Sequence, residues 1–171
     1  IKAIEADIAG KDGVDVVAGG SLANTASAVA RLCPDVAITF CAASAKDEYG
    51  DIFSDAILDA GMDLIPDMCR GTETSRSYVL TDATGERAVA RYLGDSMSIL
   101  TAAMIEDDIR SADMVLLEGE LPALPNGYAL WREVIALAAK HETAVGFTLF
   151  GAEQVRLHRA LFMETIEQHA T

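Results

Sequence analysis

Basic residues are scarce. Thirteen Lys and Arg stand against 27 Asp and Glu, a formal net charge of −14 at pH 7. A surface this acidic repels polyanions, which argues against nucleic acid and anionic membrane as partners. It leaves room for a phosphorylated ligand, because backbone N–H groups at a helix end bind anions locally. Cysteine is also sparse: Cys33, Cys41 and Cys69 are widely separated, and no pair has metal-ligand or redox spacing. That pattern reads as reduced thiols in a cytoplasmic protein. Cys33 and Cys41 lie in apolar surroundings and are expected to fill core. No apolar run approaches the roughly 20 residues needed to cross a bilayer. No signal peptide is visible, and no repeat or low-complexity tract appears. His141, His158 and His169 show neither a nucleophile partner nor metal spacing, so they read as surface or helix-end residues. Ser44 and Ser75 lack an adjacent base. No catalytic residue and no metal ligand is therefore assigned.

What is present is a foldable core. The chain is 51% hydrophobic over 171 residues, which fits one domain or most of one. Its organising stretch runs from Val16 to Leu32: a short apolar run, Gly19-Gly20, then an amphipathic helix. Leu22, Ala26, Val29, Ala30 and Cys33 recur at i, i+4, i+7, i+8 and i+11, one helical face of mostly small residues. Ser21 is the expected N-cap. The two glycines clear the backbone at the helix N-terminus and allow positive φ. Asn24 sits one turn in, with an amide that both donates and accepts. The glycines read either as an ordinary turn with Asn24 solvated, or as a site for hydroxyls.

Taken in order, Ile1, Ile4 and Ile8 suggest a short helix before Gly10, and Val14–Ala18 an extended entry. Val36–Ala42 is an apolar run suited to a strand buried on both faces. After a loop at Ala43–Lys46, Asp47 caps a helix through Ala60. That helix has a stripe of Ile52, Phe53, Ala56, Ile57 and Ala60, and Gly61 stands at its end. Asp63–Ile65 is a short strand. Thr74–Thr81 and Glu86–Leu93 form a hairpin around Asp82–Gly85. Thr101–Arg110 is a helix, Met114–Leu117 a buried strand, Gly127–Lys140 a helix, Ala144–Leu149 a strand and Glu153–His169 a helix. The alternation predicts an open α/β sheet flanked by helices, with the hairpin as a lid or an edge pair.

In such sheets ligands bind beyond the carboxyl ends of the strands. The Gly19-Gly20 turn, the Ala43–Lys46 loop, Glu118 and Phe150-Gly151 are all expected there. Glu118 follows four apolar residues. It reads either as a solvated strand end or as a ligand for hydroxyls or a cation.

The order Gly-Gly-Ser-x-Ala-Asn-Thr-Ala, a helix ending Ala-Arg-Leu, an apolar strand and then Asp47-Glu48-Tyr49-Gly50 resembles the ribokinase family, the PfkB-type carbohydrate and nucleoside kinases. Thr84-Gly85-Glu86-Arg87, Tyr92-Leu93-Gly94, Leu116–Leu121, Val145–Leu149 and Arg156–Arg159 extend the likeness over nearly all of the chain from Val14. The resemblance implies a ribokinase-like, Rossmann-type, mostly parallel sheet. It implies ATP and Mg²⁺ as cofactors and a sugar or nucleoside as substrate. It implies Gly19, Gly20 and Asn24 against the substrate hydroxyls, and Glu118 as the acidic residue that meets the substrate. Departures are Cys33-Pro34-Asp35 where Leu-Gly is usual, Ala42 and Ala45 near common glycine positions, and Gly151 at a commonly polar one. The family's late Gly-Ala-Gly-Asp segment, its Asn-x-x-Glu segment and its first strand have no counterpart, and no P-loop is present. Residues 1–171 are accordingly expected to be an incomplete domain, a fragment or truncated reading frame, inactive alone. Two functions follow: part of an ATP-dependent sugar or nucleoside kinase, or a non-catalytic α/β module binding a small polyol or nucleoside. Pairing of two copies through the hairpin, giving a homodimer, stays open.

Overall fold

The structure is a computed structural model that describes residues 4–6, 14–65, 69–94 and 100–169. The helix expected before Gly10 lies mostly outside the described residues. Val14–Ala18 forms no strand, and Val14, Val16 and Val17 are exposed.

Helix α1 spans Ser21–Leu32. Its N-cap is Gly20, not Ser21. Gly20 takes φ 116°, a conformation glycine reaches without a Cβ penalty, and its carbonyl accepts from the Asn24 N–H at 2.9 Å. Ser21 is already helical, so it cannot cap. Ala23 and Ala26 are the buried residues, with Leu22 and Ala30 packed beside them. Val29 and Cys33, expected on this face, are exposed. The buried arc is centred toward Ala23 and Ala30, which leaves Val29 at its far edge. The helix ends before Cys33, so Cys33 shares no helical face.

Strands β1 (Thr39–Phe40) and β2 (Ser44–Ala45) are two residues each. The long strand expected over Val36–Ala42 is thus reduced to one pairing segment with Val36 exposed, and the expected loop at 43–46 contains β2. Helix α2 covers Glu48–Asp59, with Asp47 accepting the Gly50 N–H at 2.8 Å as its cap. Gly61 follows at φ 82°. Strand β3 (Asp63–Leu64) runs parallel to β1, and β4 (Cys69–Gly71) parallel to β2. This is the expected strand–helix–strand unit. Its core joins Ala23 and Ala26 of α1 to Phe40, Ile57, Ala60 and Met62.

Strands β5 (Arg76–Thr81) and β6 (Arg87–Tyr92) make the hairpin, in register from Arg76↔Tyr92 to Thr81↔Arg87. Asp82 Oδ1 closes the turn by accepting from the N–H groups of Thr84 and Glu86. From Val79 to Val89 both faces of the hairpin are exposed.

A 3-10 turn at Ala102–Ile105 runs into helix α3 (Glu106–Ser111). Strand β7 (Met114–Leu117) pairs in parallel with β8 (Ala144–Phe147), and helix α4 (Gly127–His141) crosses between them. Helix α5 (Ala152–His169) follows, kinked at His158. The core of this part centres on Trp131, fully buried against Phe147 and Phe162, with its indole N–H donating to Thr165 Oγ1 at 3.0 Å. Strand β7 is not buried on both faces. Leu117 is covered, while Met114 and Leu116 are exposed. On α5 Ile166 is exposed, while Thr165 is buried where it meets the indole.

The protein is mixed α/β with parallel strands and flanking helices. The described strands form four hydrogen-bonded pairs, three parallel and one antiparallel. They do not form one continuous ladder. Among the described residues no helix is long and apolar enough to cross a membrane.

Candidate functional site

The N-terminus of α1 presents clear backbone. Among the described residues no atom lies within 4 Å of where a Cβ would stand on Gly19, and at Gly20 only the Ala23 Cβ does, at 3.7 Å. Gly20 is required by its φ, whereas no neighbour requires glycine at 19. Gly19 and Asn24 share a groove of about 360 Å³ between α1 and α2. Ser27 and Arg31 continue its α1 wall, and Phe53 and Ile57 form the α2 wall. Asn24 is exposed, so its amide can face a ligand.

Glu118 lies at the carboxyl end of β7. Its Oε1 accepts a hydrogen bond from the Thr148 hydroxyl, at the corresponding end of β8. The same hydroxyl accepts the Gly119 N–H at 3.0 Å. Gly119 is fixed sterically, since a Cβ there would stand 2.1 Å from the Thr148 carbonyl oxygen. The glycine lets the turn close against β8, and the close turn places Glu118 beside Thr148. The carboxylate keeps its second oxygen as an acceptor for a hydroxyl or a cation.

Two contacts seat the hairpin. At its base Arg76 lies over the Tyr92 ring at 4.5 Å and the Tyr49 ring at 5.0 Å, and pairs with Glu5 at 2.6 Å. Burial alone would lower the Arg76 pKa, but the hydrogen bonds it donates to Glu5 and Tyr78 raise it, so the guanidinium is firmly cationic. Beside it at the same end of the hairpin, Arg91 pairs with Glu120 and lies 5.5 Å over the Phe150 ring. Phe150 itself holds φ 60°, a conformation uncommon for a bulky side chain.

The expected grouping is therefore split. Gly19 and Asn24 share one groove, with Gly20 adjoining. Glu118 is joined to Thr148 at the β7–β8 ends and does not line that groove. Glu118 and Glu120 diverge, one to Thr148 and the other to Arg91. Thr148 and Arg91 were missed as site-adjacent residues, whereas Phe150 stands after β8 as expected. The signal available was Thr148's place directly after β8, level with Glu118 after β7. Among the described residues no set of three His, Cys, Asp or Glu side chains is placed to hold a metal. Burial pushes the Cys41 thiol up to about 12, which disfavours the reactive thiolate.

Residues 5–163 match the pfkB family of carbohydrate kinases. The chain belongs to this family. Comparison with curated proteins finds no match. Among solved structures, the pfkB-family chain is similar to adenosine kinase from Sinorhizobium meliloti, at 27% identity and a TM-score of 0.74, covering 88% of this chain and 46% of that one. It is similar in fold to a probable sugar kinase from Rhizobium etli CFN 42, at 24% identity and a TM-score of 0.80, covering 98% and 51%. A fructokinase from Xylella fastidiosa aligns at 23% identity with a TM-score of 0.66, covering 80% and 42%. The chain thus spans about half the length of these structures.

Proposed function

We propose that the protein is part of an ATP-dependent kinase that phosphorylates a hydroxyl of a sugar or nucleoside. Residues 1–171 supply part of one ribokinase-like domain, on the acceptor side. Gly19 and Gly20 offer backbone to the substrate, while Asn24 and Glu118 hydrogen-bond its hydroxyls. The hairpin covers the substrate, and a second copy can associate through its exposed strands. ATP with magnesium supplies the phosphoryl group in a cytoplasmic enzyme.

The observation that carries this reading is the open backbone at Gly19 beside the exposed Asn24, on the wall of one groove. Among the described residues no contact explains a glycine at 19, whereas a ligand approaching the backbone would. The amide of Asn24 can donate to one hydroxyl and accept from another. The Glu118 carboxylate, oriented by Thr148, accepts from a hydroxyl and stabilises it by a charge-assisted hydrogen bond. These residues bind and orient, which is most of what phosphoryl transfer asks of a protein.

The test is transfer from radiolabelled ATP by the protein as its native host produces it, with ribose, fructose and adenosine as acceptors. Labelled sugar or nucleoside phosphate supports the kinase. Saturable binding of one acceptor without any transfer assigns instead the binding module.

A further inference from the structure

Phe150 is exposed on a strained turn. It holds φ 60° at the centre of a three-residue turn, which the Gly151 N–H closes on the Leu149 carbonyl at 2.6 Å. A bulky residue keeps this conformation only where its surroundings fix it, and such residues gather at ligand sites. Burial does not account for the strain, because Phe150 stays 40% exposed and Leu149 51%. Among the described residues the one cation or ring against Phe150 is Arg91, whose guanidinium lies 5.5 Å from the ring centroid. Glu120 pairs with that guanidinium and tethers it there. An exposed ring and a tethered guanidinium are both flat surfaces on which a planar π system stacks.

The hydroxyl-binding group stands beside this surface. A Cβ on Gly119 would lie 2.1 Å from the Thr148 carbonyl oxygen and 2.9 Å from the Leu149 carbonyl carbon, so the turn at 118–120 is pressed on the segment 148–150. Thr148, which donates to Glu118, and Phe150 are separated by at most about 7 Å of chain. The ends of β7 and β8 therefore carry two kinds of surface. Glu118 and Thr148 form a polar one, and Leu149, Phe150 and Arg91 a flatter, more apolar one. A free sugar presents hydroxyls all round, and those over Leu149 and Phe150 would lose water without gaining a partner. A nucleoside carries its hydroxyls at one end and a flat base at the other. We propose that Phe150 and Arg91 form a stacking platform for a nucleobase, so that the acceptor is a nucleoside and not a free sugar. The proposal rests on the kinase reading above for the part Glu118 plays in holding the acceptor. Phe150 and Arg91 are its specificity-determining residues.

Equilibrium binding without ATP tests it on the intact protein, with adenosine, uridine and ribose as probes. Both nucleosides bind at least about tenfold more tightly than ribose, because each base has a face to stack. Phe150→Ala weakens both nucleosides about five- to a hundredfold, the size of losing one base–aromatic stack, and leaves ribose within about twofold. Phe150→Tyr keeps the ring and binds like the parent. Unchanged emission from the buried Trp131 verifies the fold in each variant. Absence of nucleoside binding overturns the platform, as does ribose bound as tightly as adenosine, or nucleoside affinity in Phe150→Ala within about twofold of the parent. A KM for ATP raised by Phe150→Ala while nucleoside binding stays put also overturns it, and gives the ring to the donor's base instead. Transfer to ribose or fructose with nucleosides refused leaves the kinase reading standing and overturns this one. Ring-dependent nucleoside binding without any transfer supports the platform and overturns the kinase reading.

Discussion

Asp47 grips Thr74 with both carboxylate oxygens. Its Oδ2 accepts the Thr74 N–H at 2.8 Å, and its Oδ1 accepts the Thr74 hydroxyl at 2.6 Å. Oδ1 also caps α2 at Gly50, and the Thr74 hydroxyl in turn accepts the Ala45 N–H at 3.0 Å. One carboxylate thus joins β2, α2 and the foot of the hairpin.

Removing Asp47 should cost more than an ordinary cap. Asp47→Ala loses the cap, about 1 kcal/mol, and leaves the buried Thr74 N–H and hydroxyl short of partners, for about 2–4 kcal/mol together. Burial pushes the Asp47 carboxyl up, but the Thr74 hydroxyl and the Thr74 and Gly50 N–H groups outweigh it and hold it below the usual range. A depressed carboxylate stabilises the fold above its unfolded pKa, and that stability is lost as pH falls through its folded value. Chemical denaturation at pH 7 and pH 3 should therefore show a large gap between parent and Asp47→Ala at pH 7 that narrows at pH 3.

Gly19 and Gly119 should respond to alanine in opposite ways. Gly119→Ala drives a Cβ to 2.1 Å from a backbone oxygen, so it should destabilise by roughly 1–3 kcal/mol or more. Gly19→Ala meets open space and should leave stability within about 0.5 kcal/mol. Its effect should appear in acceptor affinity instead. Denaturation midpoints beside acceptor KM values separate the two.

Glu106 sets a second acid limb. Its carboxylate takes the Lys140 ammonium at 2.6 Å and His141 Nε2 at 3.0 Å, tying α3 to the end of α4. The Lys140 bond first, then His141, lowers it from 4.5 to about 2. The stability it adds is present above pH 4.5 and fades as pH falls toward 2. Glu106→Gln should flatten this part of the pH–stability curve, and the parent should lose the contribution in high salt.

The buried indole reports the second core. Trp131 is the single tryptophan and is fully buried, so its emission should be blue-shifted in the folded protein. Leu130→Ala, beside it in the same core, should cost about 2–5 kcal/mol. Fluorescence-monitored unfolding measures both.

The sequence made α2 legible almost to the residue. Asp47, the Phe53–Ile57–Ala60 stripe and Gly61 are local signals, and local hydrogen bonds decide a helix end. The hairpin was legible for the same reason, since Asp82 closes its own turn. Strand lengths were not. Val36–Ala42 carries the apolar content of a strand, but pairing needs a neighbour, and only Thr39 and Phe40 meet β3. The face of β7 was misjudged because Met114 and Leu116 are apolar yet exposed. At the site, the Gly19-Gly20-Asn24 order was readable as a motif. The Glu118–Thr148 bond was not, because the two residues lie 30 positions apart and only the β7–β8 register aligns them.

The most direct measurement is the effect of Asn24→Ala on the two Michaelis constants of the proposed kinase activity. Losing one or two hydrogen bonds to the acceptor should raise its KM about tenfold, since each is worth about 0.5–1.5 kcal/mol. The KM for ATP should stay within about twofold, because Asn24 is proposed to meet the acceptor alone. Equal changes in both constants, or no change in either, would contradict the assignment of Gly19, Gly20 and Asn24 to the sugar or nucleoside.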